Sequence, residues 1–105
     1  KKNQLLVVER SYSTGTQACT IKIFLCNLKK ATNVKKYASL KNKNFKIASK
    51  KLLLNMDDLG IFIDNIEGLT FGPKLSNGNQ SLLFVSDNNF SDKQKTQLLV
   101  FELVN

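Results

Sequence analysis

Ser76, Asn77, Gly78 and Asn79 stand between two apolar stretches, Ile61 to Phe71 and Ser81 to Ser86. Asn and Gly accept the positive φ angles of tight turns, so this cluster predicts a hairpin of two antiparallel strands. Similar punctuation recurs along the chain. Gln4 to Val8 is a short apolar run closed by the polar cluster Ser11 to Thr16, with Gly15 inside it. Residues 17 to 28 alternate, with Cys19, Ile21, Ile23 and Leu25 on one side and Thr20, Lys22, Phe24 and Cys26 on the other. That period of two is the signature of a strand covered on one face. Phe45 to Asn55 reads as a further strand with room for a break near Ser49, and the last two strands, Ser81 to Ser86 and Gln97 to Val104, flank a polar loop from Asp87 to Lys95. Ala31 to Asn44 has few large apolar residues and reads as a connection, with room for a single uncapped helical turn around Val34 to Leu40.

These readings sum to six or seven strands and no convincing helix. The expected fold is therefore all-β and antiparallel, either a partial β-propeller of about two blades or a small sandwich or barrel. A blade takes roughly 40 residues and a closed propeller needs about four or more, so 105 residues would supply only part of one. The chain is expected to be a single all-β segment, 1–105, of a larger domain. No apolar run approaches the roughly 18 residues of a membrane-spanning helix, and no membrane role is expected.

Composition narrows the chemistry. The chain has no His, so neither a Ser/His/Asp nor a Cys/His nucleophilic site can be assembled from it, and a His-ligated zinc site is excluded with them. The two cysteines, Cys19 and Cys26, are too few for a disulfide framework. On one strand, with a rise of about 3.3 Å per residue, they would lie roughly 23 Å apart, which points to buried free thiols.

The net charge of +8 is unevenly placed. Residues 1 to 56 hold twelve Lys and Arg10 against one acid, Glu9, a net of +12, while residues 57 to 105 hold three Lys against seven acids, a net of −4. A basic half can neutralise phosphates or bind an acidic partner. Its lysines are scattered among Asn, Ser and Thr in loop-like stretches, however, which weighs against nucleic acid.

The acidic half contains the segment with the most unusual pattern, Asp64 to Phe71. In an extended strand, Asn65 and Glu67 would face the side of Ile63 and Leu69, with Asp64, Ile66 and Thr70 opposite. A carboxylate among core positions is costly unless it is paired or bound to a cation. Two readings stay open. Asp, Glu and Asn oxygens are the usual ligands of Ca²⁺; alternatively Glu67 pairs with a lysine or caps backbone amides. Gly68, directly after Glu67, suits a bulge or a close backbone approach. A second oxygen cluster, Ser86 to Asn89 with Ser91 and Asp92, reads either as a site or as a long hairpin loop. Arg10 is suited to bidentate recognition of phosphate or carboxylate, or to an ion pair with one of the acids.

Several blocks taken together resemble the C-terminal part of the phytase-like (esterase-like activity of phytase) family. They are Leu52 to Leu54, Asp57 to Ile61, Asp64 to Gly68, Leu82 to Phe90, and Thr96 to Leu103, with Val7 to Ser13 similar to an early strand of that family. The resemblance implies a propeller-like fold distantly similar to β-propeller phytases, and a small-molecule ester or phosphoester substrate. It also implies a secreted or periplasmic setting. Carried over residue by residue, it implies Glu67 as the acidic ligand of the Asp64 to Gly68 strand, with Asn65 and Asp64 completing a Ca²⁺ site. Asp87, Asn88 and Arg10 would lie beside it, and Glu67, Asp87 and Arg10 would carry catalysis. The β-propeller phytases have Asp two positions before this Glu, whereas here that place is Asn65, a departure that counts against phytate as the substrate. The resemblance further implies that the remainder of the propeller adjoins this segment and that the isolated segment has negligible activity; the unpaired backbone of a truncated sheet would equally let a second copy pair with its open edge strands. The alternative function is a non-catalytic β module that binds an acidic partner through its basic surface.

Overall fold

The computed structural model describes residues 2–11 and 19–104. The polar cluster expected after the first strand falls mostly on residues 12–18, outside the described residues. The architecture is all-β, as expected. Among the described residues six strands, β1 (Gln4–Ser11), β2 (Thr20–Asn27), β3 (Ser49–Asn55), β4 (Ile66–Lys74), β5 (Gln80–Ser86) and β6 (Gln97–Leu103), form two open three-stranded sheets, β1-β2-β3 and β4-β5-β6. The pairings of β2 with β3, β4 with β5 and β5 with β6 are all antiparallel. No closed barrel forms among the described residues. A short 3-10 turn, Met56–Leu59, follows β3 and buries Met56.

The chain divides into two compact units. One comprises Lys1–Glu9 with Lys22–Asn55, the other Arg10–Ile21 with Met56–Asn105. In the first unit Ile23 is buried, as its place in the alternating stretch predicts. β2 and β3 run in register except for a shift between Ile23 and Phe24, where Leu53 is the additional residue on β3. Lys50, on β3, lies 4.2 Å from the Phe24 ring centroid and pairs with Glu9, the single acid of the basic half. The expected connection Ala31 to Asn44 is a chain of turns, including Tyr37 N–H to Val34 C=O at 2.9 Å where one helical turn was expected.

In the second unit the expected hairpin is present. Leu75 N–H donates to Asn79 C=O and Gly78 N–H to Leu75 C=O, both at 2.9 Å, with Gly78 at φ +84°. Glu102 on β6 fastens this turn from outside: one of its oxygens accepts from the side-chain amides of Asn77 and Asn79. The core of the unit gathers on Phe84, Leu82 and Ile66, and Phe84 meets Phe101 edge-on at 5.4 Å. β5 and β6 pair without interruption over seven residues, whereas β4 carries two irregularities. One of these, between Ile66 and Gly68, creates the candidate site.

Cys19 and Cys26 are both free thiols, half-buried where full burial was expected.

Candidate functional site

Ile66 pairs with Ser86, and the next pair along the ladder is Gly68 with Val85. β4 thus takes two steps while β5 takes one, and Glu67 is the additional residue of a β-bulge. The bulge requires Gly68: a Cβ there would lie 2.7 Å from Val85 Cγ1, closer than carbon atoms pack. Freed from the pleat, Glu67 turns its carboxylate to solvent instead of the core, which removes the desolvation cost that the sequence pattern raised.

Arg10, next to the last residue of β1, reaches this bulge. Its Nη1 donates to Asn65 Oδ1 at 2.7 Å and lies 3.8 Å from Glu67 Oε1, with the two charged side chains 48% and 37% exposed. Arg10, Asn65 and Glu67 therefore form one accessible polar cluster. Arg10 thus stands in an ion pair with an acid, one of the two readings open for it.

Asp64 has a different environment. It is 7% exposed, and both its oxygens are engaged by the backbone: Oδ1 accepts from Asn65 N–H at 2.7 Å and Oδ2 from Lys95 N–H at 2.6 Å. Its own N–H donates to Gln97 Oε1 at 2.7 Å, and Gln97 Nε2 donates to Phe62 C=O at 3.1 Å. Ser86, fully buried, closes the arrangement by donating to Lys95 C=O at 2.8 Å and accepting from Gln97 N–H at 3.1 Å. A buried carboxylate bonded in this way is a structural clasp between the start of β4 and the start of β6. Ser86, read from sequence both as the end of the strand Ser81 to Ser86 and as the first residue of the oxygen cluster, is the last residue of β5 and belongs to this clasp. Lys95 and Gln97 were not singled out by sequence reasoning, since a Gln opening a strand gives no local sign of a partner 33 residues away.

Asp87 is exposed and leaves the sheet at the end where Asn65 enters it, but no hydrogen bond joins it to Arg10, Asn65 or Glu67 among the described residues. Asn88 builds a turn. Its side chain accepts from Phe90 N–H at 3.2 Å and its carbonyl from Ser91 N–H at 2.8 Å, which is the loop reading of this cluster.

The fit to calcium follows from these contacts. Among the described residues no three acidic or sulfur side chains converge in a way that could hold a metal ion. Asp64 is committed to backbone amides, the Asn65 oxygen to Arg10, and Glu67 stands beside a guanidinium. These three residues do not by themselves make a cation cage. Chemically, the exposed part of the cluster offers a guanidinium with a carboxylate and an amide next to it, a combination able to hold an anionic oxygen and to orient a water.

No curated protein and no solved structure matches the chain. A family model does: the one described as Phytase-like, esterase-like activity of phytase, matches residues 1–90, and so takes in Arg10, Asp64, Asn65, Glu67, Asp87 and Asn88. The chain belongs to the phytase-like family.

Proposed function

We propose that the chain contributes the Arg10–Asn65–Glu67 cluster to the site of a phytase-like esterase that hydrolyses ester or phosphoester substrates. The observation that carries this reading is the exposed Arg10 guanidinium, held by Asn65 at 2.7 Å beside Glu67 in a chain of this family. Arg10 would bind an anionic substrate oxygen, and Glu67 on its bulge would accept a proton from the attacking water. Asp87, exposed at the same end of the sheet, is the further acid of the proposal.

Metal assistance is part of the same proposal. Ca²⁺ would enter at Glu67, and Asp64 and Asn65 would join only by giving up the bonds described above. The rest of the fold, or a second copy, would add to the sheet edge at β6.

The test is hydrolysis of p-nitrophenyl phosphate and p-nitrophenyl acetate by a phytase-like domain carrying this segment. Arg10→Ala and Glu67→Gln are each expected to lower kcat/KM by at least about tenfold, or about 1.4 kcal/mol of transition-state stabilisation. Unchanged hydrolysis in both variants would sink the assignment.

A second reading has its own observation. Ten lysines and no carboxylate lie between Arg10 and Met56, which favours a non-catalytic module that binds an acidic partner. Such binding would weaken with salt and be indifferent to Glu67→Gln.

A further inference from the structure

We infer that the first unit contains a discrete binding groove for a compact anion bearing several phosphate or sulfate groups. It is an open groove of about 460 Å³ lined by the exposed residues Lys29, Lys30 and Lys46 with Asn27, Ile47 and Ser49. The inference rests on the second reading above for its excess of positive charge, and narrows it from a diffuse basic surface to one site and one ligand chemistry.

The three lysines are brought together by backbone geometry. Lys29 and Lys30 are the central residues of the turn that closes β2, in which Ala31 N–H donates to Leu28 C=O at 3.0 Å. Asn27 Oδ1 accepts from Lys29 N–H at 2.9 Å, and Leu28 N–H donates to Asn3 C=O at 2.9 Å, so both ends of the turn are tied. Lys46 arrives from 16 positions further along and is fastened by two bonds to one residue: Thr32 N–H donates to Lys46 C=O at 2.9 Å, and Lys46 N–H to Thr32 Oγ1 at 2.8 Å. Thr32 lies two residues after Lys30, so the clasp fixes Lys46 beside the turn.

Three lysines lining one concavity repel one another unless an anion answers them. Among the described residues none does. Glu9, the single acid of this unit, is taken by Lys50, and none of the three lysines has an ion pair among the described residues. The groove volume falls within the roughly 300–1,000 Å³ of small-molecule sites. Its lining has no aromatic ring on which a base could stack, which favours a small polyanion over a nucleic-acid strand. Asn27 and Ser49 supply neutral donors beside the charges.

The test titrates sodium tripolyphosphate and a trisulfated disaccharide into the 105-residue chain at constant ionic strength, read by calorimetry and by amide chemical shifts. Saturable binding of either probe is expected, with shifts confined to residues 27–32 and 46–49; the stronger probe identifies the source chemistry. The triple variant Lys29→Gln/Lys30→Gln/Lys46→Gln should weaken affinity at least tenfold. Lys36→Gln/Lys41→Gln/Lys43→Gln removes the same charge outside the groove and should change it less than twofold. Preserved amide dispersion checks the fold of both variants. Equal loss in the two triples, or no saturable binding of either probe, would overturn the groove while leaving the diffuse basic-surface reading intact. Tighter binding of a single-stranded oligonucleotide, hit equally by the two triples, would also overturn the groove.

Discussion

Lys95 donates its backbone N–H to Asp64 Oδ2 at 2.6 Å across 31 residues of sequence, and the same carboxylate holds Asn65 N–H through its other oxygen. The residue that sequence reasoning offered as a cation ligand thus ties the start of one strand to the start of another. Asp64→Ala leaves two backbone donors without their acceptor in a buried place, and should lower stability by about 1–3 kcal/mol. Urea unfolding followed by circular dichroism measures this; a loss below a few tenths would show that the clasp contributes nothing.

Glu67→Gln and Arg10→Met separate the site from the scaffold. The Arg10–Glu67 pair is substantially exposed at 3.8 Å, and exposed pairs contribute about 0–1 kcal/mol. Each variant should therefore melt within a few degrees of the parent, which makes any larger loss of hydrolysis attributable to the cluster itself.

The bulge depends on the absence of a side chain at one position. Gly68→Ala places a methyl group 2.7 Å from Val85 Cγ1, and overpacking of this kind costs about 1–3 kcal/mol. Val85→Ala alone should cost less, because Val85 is partly exposed. In the double variant most of the Gly68→Ala loss should return. A double-mutant cycle with no coupling between the two positions would show that the close approach is not what forbids a side chain.

Glu102 gives the hairpin a pH dependence. Its pKa is held below the ordinary carboxyl value by the side-chain amide of Asn79 first and that of Asn77 second. A carboxyl depressed in the folded state stabilises above its unfolded value, near 4.5, and loses that contribution as pH falls through the folded one. Melting temperature recorded between pH 7 and pH 3 should accordingly fall more steeply for the parent than for Glu102→Gln, with the gap between the two curves closing below about pH 4.5. Parallel curves would mean that the two amides do not favour the ionised form.

The strands were legible where local pattern alone decides them. The alternation around Ile21 and Ile23 and the Asn77–Gly78 turn each fix an element without reference to distant residues, and both appear as read. Boundaries were less legible. The stretch from Ile61 looked like strand from its apolar residues, yet β4 begins at Ile66, because residues 61–65 are held by Gln97 and Lys95 instead of by a ladder. Phe45 to Ala48 likewise precede β3, with Lys46 held by Thr32. For the candidate site, sequence located the oxygen-rich segment and the glycine of the bulge. Apportioning roles within it required distances: Asp64 and Glu67 are both carboxylates three residues apart, and only their partners show that one is a clasp and the other faces solvent.

The clasp also has a consequence for biosynthesis. Chains emerge from the ribosome N-terminus first, and the partners that fasten Asp64 are Lys95 and Gln97. When residue 90 has just been added, every side chain of the Arg10–Asn65–Glu67 cluster already exists, but the bonds that seat its neighbour do not. The clasp beside the cluster can close only once the first residues of β6 are available, so a nascent chain stalled in the loop after β5 would carry all the chemical groups of the site without the bonds that fix Asp64 next to it.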